Sequence, residues 1–254
     1  MTVDLHYVLE GPDDAPVVAL GPSLGMTLAM WDEQAAALVE RFRVLRFDHR
    51  GHGGSPVPPG PYTVEEMAGD VVALFERLGI ERLRYCGVSV GGMVGMWLGL
   101  DHPERVARLV LCCTSAHMGP PEMWTERAAI VREQGIDPLV DAALERWFTP
   151  EAPPAAVARA EAMLRSMDTE GYAGGCEALA THDLRGRLGA IRAPTLAVAG
   201  AGDPAAPPEH LEAIRDEIPG ARLEIVEGAR HLANLERPDE ITRIVLGFLG
   251  DGGG

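Results

Sequence analysis

Short runs of consecutive apolar residues, separated by longer amphipathic stretches, constrain this chain more than any other feature. Val17–Leu20, Arg43–Phe47, Leu83–Cys86, Val106–Cys112, Thr195–Ala199 and Leu223–Val226 are rich in Val, Leu and Ile. Side chains of a strand alternate between its two faces, so a run that is apolar on successive residues must be covered on both. Between these runs, Trp31–Arg41, Val64–Leu78, Gly92–Leu100, Pro208–Ile218 and Pro238–Leu249 read as helices. The alternation predicts an α/β fold: a mostly parallel, doubly wound sheet with right-handed crossovers and sites beyond the carboxyl ends of its strands. A strand around Val3–Leu9 is expected to begin an antiparallel edge hairpin.

One region interrupts the pattern. From His117 to His182 the chain offers helical segments punctuated by Gly119-Pro120-Pro121, Gly135 and Pro150–Pro154, with no strand. Helices inserted between two core strands predict a cap over the strand ends. The expected organisation is a core over 1–116, a helical cap over 117–182, and the rest of the core over 183–250. Residues 251–254, Asp-Gly-Gly-Gly, read as a flexible tail or the start of a linker.

Charge narrows the partners. With 38 acidic residues against 22 Lys plus Arg, the formal net charge is −16. Such a field disfavours nucleic acid and anionic membrane surfaces, and it requires local arginines wherever a small anion is bound. Cys86, Cys112, Cys113 and Cys176 lie mostly in apolar runs without scaffold or CxxC spacing, so buried, reduced thiols are expected. The segment Met1–His6 lacks the basic and apolar regions of a secretion signal, and the expected location is the cytoplasm.

The chemistry centres on Cys86-Gly87-Val88-Ser89-Val90-Gly91, a G-x-S-x-G element between a predicted strand and a predicted helix. A serine at such a turn projects its hydroxyl above the sheet, at the positive end of the following helix. A hydroxyl needs a base to become a nucleophile. Of the eight histidines, His231 follows the Leu223–Val226 strand by a short loop and precedes the last helix. That is the place of the base when the order is serine, acid, histidine. His49 and His52 sit three apart in a Gly-rich turn without a further metal-ligand set, His102 precedes Pro103 at a helix end and is expected to face solvent, and His210 reads as a surface residue. Asp203, reached from the Thr195–Ala199 strand through Gly200-Ala201-Gly202, is the expected acid; Asp183, a rival, has no strand leading into it. For a tetrahedral oxyanion, Val90 offers one backbone N–H. The loop Gly21-Pro22-Ser23-Leu24-Gly25 offers the other, with Leu24 preferred and Ser23 second.

With these residues placed, the chain resembles the α/β-hydrolase superfamily over essentially its whole length, including D-x-R-G-x-G-x-S as Asp48-His49-Arg50-Gly51-His52-Gly53-Gly54-Ser55. More narrowly it is similar to the 3-oxoadipate enol-lactonases of the β-ketoadipate pathway of aromatic catabolism. The stretches concerned are Ser23-Leu24-Gly25 with Met30-Trp31, Arg146-Trp147-Phe148-Thr149-Pro150, Gly171-Tyr172, Pro208-Glu209-His210 and Ala229–Glu236. Gly21-Pro22 departs from the His-Gly of many superfamily members, and the proline removes one N–H but leaves that of Leu24. The resemblance implies an α/β-hydrolase fold and a five-membered enol lactone carrying an acetate side chain, opened through an acyl-enzyme without metal or organic cofactor. Such a substrate needs a cation for its carboxylate. Trp124 and Arg127 stand one helical turn apart on one face, making Arg127 the first candidate and Arg146 the second. Ser23, Trp147 and Tyr172 complete the expected substrate-binding set. A carboxylesterase or perhydrolase, or a carbon–carbon bond hydrolase, would use the same triad. A dehalogenase or epoxide hydrolase would need an aspartate at Ser89. A small-molecule receptor of the same fold would bind with little turnover.

Overall fold

The computed structural model describes residues 1–250, so the expected tail at 251–254 lies outside the described residues. Seven strands form one sheet: β1 (Tyr7–Glu10), β2 (Val17–Gly21), β3 (Arg43–Phe47), β4 (Leu83–Val88), β5 (Val106–Cys112), β6 (Thr195–Gly200) and β7 (Arg222–Val226). Their spatial order is β1-β3-β2-β4-β5-β6-β7. All neighbours are parallel except β1 and β3, which pair Tyr7 with Phe47 and Glu10 with Val44. The edge strand is therefore antiparallel as expected, but the hairpin is not formed. The next strand, β2, lies inside the sheet between β3 and β4, and β1 takes β3 as its partner. Nor does the strand begin at Val3, whose N–H is bonded 2.8 Å from the Asp70 carboxylate.

Helices α1 (Asp32–Leu38), α2 (Val64–Arg77), α3 (Val90–Asp101), α8 (Pro208–Glu217), α9 (Ala233–Glu236) and α10 (Pro238–Gly250) belong to the sheet layers, while α4 (Pro121–Gln134), α5 (Val140–Trp147), α6 (Pro154–Arg165) and α7 (Thr169–Thr181) lie between β5 and β6. A capping box starts α2: the Thr63 hydroxyl accepts from Glu66 N–H at 3.1 Å, and the Glu66 carboxylate accepts from Thr63 N–H at 3.0 Å. Its apolar stripe, including Met67, Val71, Leu74 and Phe75, is buried. By contrast α3 is apolar almost all round and buried along most of its length, as a helix must be when enclosed on every side. The segment carrying α4–α7 leaves and rejoins the core at an antiparallel bridge between His117 and Asp183. Within it α4 packs on α7.

Buried β4, β5 and β6 explain the continuous apolar runs, whereas β7 at the far edge leaves Arg222, Glu224 and Ile225 exposed. All four cysteines are buried and free. Among the described residues no helix is long and apolar enough to cross a membrane. From β2 the chain moves first to β3 on one side and then to β4 on the other, which makes the gap between β2 and β4 the topological switch point. Gly21 and Gly87 are paired across that gap, so the loop after β2 and the turn after β4 leave the sheet side by side.

Candidate active site

Ser89 occupies the turn from β4 into α3 with φ 55° and ψ −115°, a conformation that costs a non-glycine residue about 1–3 kcal/mol. Neighbouring strand ends hold it there. Ser89 N–H donates to the Cys112 carbonyl at 3.0 Å, and the Thr114 hydroxyl donates to the Ser89 carbonyl at 2.7 Å. Two residues on, the Tyr85 hydroxyl donates to Gly91 O at 3.0 Å. The flanking glycines answer a need for close approach. A Cβ on Gly91 would overlap Gly21 O, and one on Gly87 would overlap the Gly91 carbonyl. Gly91→Ala is therefore expected to cost about 1–3 kcal/mol by overpacking, although alanine is the better helix former. A thermal melt that drops by several degrees is the expected reading; an unchanged melt would show that the loop yields freely.

Asp203 follows β6 and His231 follows β7, and the two side chains meet at 2.8 Å between Asp203 Oδ2 and His231 Nδ1. The other carboxylate oxygen accepts from Ala205 N–H at 2.8 Å and Ala206 N–H at 3.1 Å. Burial alone would raise the Asp203 pKa, but the attraction and hydrogen bond of His231 and these two N–H groups hold it below the ordinary value. Asp203 is thus an ionised, fully partnered acid aimed at Nδ1, which leaves Nε2 as the free ring nitrogen of His231. The rival Asp183 is exposed and clasped by Arg185 at 2.6 Å. Thr114 and Cys113, the latter at φ 43°, buttress this site from the end of β5. Their one sequence signal is position just past a strand end.

Most backbone donors of the loop after β2 are taken. Ser23 N–H points to Met30 Sδ at 3.3 Å, Gly25 N–H to His52 Nε2 at 3.1 Å, and Met26 N–H to Ser23 O at 3.1 Å. Pro22 has no N–H. Of Ser23–Met26, Leu24 alone keeps an N–H without a partner among the described residues. Val90 is the first residue of α3, where N–H groups lack intrahelical acceptors.

Ser89 and His231 open onto one cavity of about 370 Å³ whose wall includes Ser23 and Leu24 from the β2 loop. Trp124, Arg127, Arg146, Trp147 and Tyr172 line it from the inserted helices. Arg127 lies over the Trp124 ring at 4.8 Å, as their spacing on one helix face implies. Neither Arg127 nor Arg146 is ion-paired with a carboxylate among the described residues. Burial, followed by the charge of Arg127, lowers the Arg146 pKa. Burial pushes the Tyr172 hydroxyl up to about 12 against the pull of both arginines. The cavity therefore holds two guanidinium charges that no carboxylate of the described residues clasps.

One histidine stands elsewhere than the sequence suggests. His210, expected on the surface, lines the cavity, and its Nδ1 is buried without a partner. It begins a helix, but that helix starts beside the Asp203 loop, a juxtaposition invisible along the chain. Burial lowers its pKa, while Asp203 opposes the shift. His102, expected to face solvent, is partly exposed at its helix end, beside exposed Glu104. His49 and His52 are fully enclosed and bonded to backbone groups, and among the described residues no cluster of three or more His, Cys, Asp or Glu could hold a metal.

Comparison with known proteins fits this geometry. A family model described as the alpha/beta hydrolase fold matches residues 16–238. The 3-oxoadipate enol-lactonase 2 of Acinetobacter baylyi is 38% identical over 246 residues, 96% of this chain and 92% of the relative. A putative carbamate hydrolase of Pseudomonas savastanoi is 30% identical, covering 93% of this chain and 94% of its own. The crystal structure of the enol-lactonase from Burkholderia xenovorans superposes with a TM-score of 0.95 at 42% identity, covering 98% of this chain and 97% of that one. A strained serine beyond a parallel strand, a sheet of matching topology and full-length similarity to hydrolases lead to one assignment: this chain is a hydrolase of the α/β-hydrolase fold family.

Proposed function

We propose that Ser89, His231 and Asp203 act as a catalytic triad that opens 3-oxoadipate enol-lactone to 3-oxoadipate, a step of aromatic catabolism. The observation that carries the substrate class is the pair of unneutralised arginines in the Ser89 cavity. In a chain of net charge −16, two such groups facing one pocket favour an anionic acyl substrate. Relatives that bear the enol-lactonase name support the same choice.

The steps follow from the side chains. Ser89 Oγ attacks the lactone carbonyl as His231 Nε2 takes its proton, and Asp203 stabilises the resulting imidazolium. The tetrahedral oxyanion accepts from Leu24 and Val90 N–H. Its collapse breaks the ring C–O bond, and His231 returns the proton to the departing enol oxygen. The enol becomes a ketone, which removes the nucleophile that could close the ring again. Water, deprotonated by His231, then cleaves the acyl-enzyme and frees Ser89. Arg127, with Arg146 beside it, holds the side-chain carboxylate, while Trp124, Trp147 and Tyr172 enclose the carbon skeleton and Ser23 borders the scissile group.

A steady-state comparison of the enol lactone with a neutral ester such as p-nitrophenyl acetate tests this reading. Loss of a charge-assisted hydrogen bond costs about 1.5–3 kcal/mol, so Arg127→Met is expected to raise KM for the lactone about 10- to 100-fold. Its effect on the neutral ester should be within a few-fold. Rapid cleavage of neutral esters or carbamates with no turnover of the lactone would overturn the substrate and leave the triad standing.

A further inference from the structure

The turn that follows β3 is built onto the loop that follows β2. His52 Nδ1 lies 3.0 Å from Arg50 O, an acceptor only, so Nδ1 carries the proton and donates. Nε2 is then bare, and it accepts the Gly25 N–H at 3.1 Å. His49 Nε2 lies 3.1 Å from Pro22 O and must donate to it. Asp48 takes Leu28 N–H at 2.6 Å through Oδ1. Three residues of one turn thus grip Pro22, Gly25 and Leu28, and the free N–H of Leu24 lies between the first two. Both rings are fully buried, and they meet edge to face at 6.4 Å between centroids.

We infer that His49 and His52 are positioning residues that aim the Leu24 N–H at the developing oxyanion. The inference rests on the triad and oxyanion reading above. A hydrogen-bond donor stabilises a transition state only if it is fixed before charge develops. An N–H in a loop between Pro22 and Gly25 has no intrinsic reason to stay fixed. His49 sets the orientation of the peptide before Ser23 by holding its carbonyl. His52 sets the peptide after Leu24 by holding its N–H. The Leu24 side chain reaches α7, close against Gly175. The Gly25 interaction needs an acceptor, so a protonated His52 could not serve. Burial holds both rings neutral, His49 to about 3 and His52 below its ordinary value.

The test uses p-nitrophenyl acetate turnover, with active sites titrated by a p-nitrophenyl phosphate ester, and inhibition by phenylboronic acid, whose serine adduct places a B–O group where the oxyanion lies. In His52→Phe the acceptor is gone. The expected result is a kcat per titrated site lowered about 10- to 100-fold, less than outright loss of a donor, with KM within about threefold. Affinity for the boronate should fall in step with kcat/KM. His52→Gln, whose amide oxygen can reach the Gly25 N–H, is expected to recover to within about tenfold of the wild type, and His49→Gln likewise against His49→Phe. If the Phe variants fail to fold, the Gln variants still decide, because loss of kcat and boronate affinity in a folded Gln variant overturns the role. A folded His52→Phe with wild-type kcat per site and wild-type boronate affinity also overturns it. A wild type that neither titrates nor binds boronate would overturn the serine-hydrolase reading as well.

Discussion

Ser89→Ala is expected to lower kcat by roughly 10⁴- to 10⁶-fold on any substrate the enzyme accepts while leaving binding nearly intact. Ser89 stands at the turn after β4, and its exchange for alanine removes Oγ and nothing else. The backbone bonds that fix the turn, from Cys112 O and the Thr114 hydroxyl, involve main-chain groups that alanine retains. The substituted residue would therefore stand at the same positive φ, and the cavity would keep its shape. The arginines and aromatic walls remain, so a non-reacting dicarboxylate such as 3-oxoadipate should bind the variant within a few-fold of the wild type by calorimetry. What persists of the rate would come from His231 acting on water beside the oxyanion donors, which alone can leave about 10³–10⁴ over the uncatalysed reaction. Turnover within tenfold of the wild type in Ser89→Ala would sink the covalent mechanism. Loss of turnover together with loss of binding would place the fault in the fold of the turn.

The parts legible in the sequence are those encoded by local pattern. Apolar runs mark the central strands because a covered parallel sheet imposes period-free burial, as β6 displays at every position. The strand–G-x-S-x-G–helix order singles out Ser89, and strand-end spacing singles out Asp203 and His231. Trp124 and Arg127 come from helix geometry, and they do stack. What local pattern cannot carry is pairing between distant segments. Nothing near Tyr7 says that β3 and not β2 will be its partner. Nothing near His210 says that α8 begins beside the Asp203 loop, and so a cavity residue looks like a surface one. The turn that holds His49 and His52 offers no further metal ligands despite their spacing, but nothing in it announces their bonds to Pro22 and Gly25, which cross 27 residues of chain. Such bonds are settled by the β2–β3 pairing that brings the two turns together.

Asp203→Asn is the second large effect, and its size follows from which nitrogen of His231 carries the proton. The carboxylate accepts only, so it selects the tautomer with Nδ1–H and leaves Nε2 bare, as the proposed transfer of the Ser89 proton requires. An amide at this position can turn its NH₂ toward Nδ1, which selects Nε2–H and leaves no base facing the serine. The expected fall in kcat is about 10⁴-fold, with KM changed little, since Asp203 does not line the cavity. The amide oxygen can still accept from Ala205 and Ala206 N–H, so the loop should hold and the variant should fold. Stability adds an independent check on sign. A carboxylate whose folded pKa lies below its unfolded value stabilises the fold above the unfolded pKa, and that contribution fades as pH falls through the folded one. The Asp203 pKa is lowered from 3.8. The melting-temperature gap between wild type and Asp203→Asn should therefore be full near neutrality and begin to close only below about pH 4. A gap that widens on acidification would mean that the buried carboxylate is a net cost to the fold. Wild-type turnover in the folded variant would remove Asp203 from the triad and leave His231 oriented by some other group.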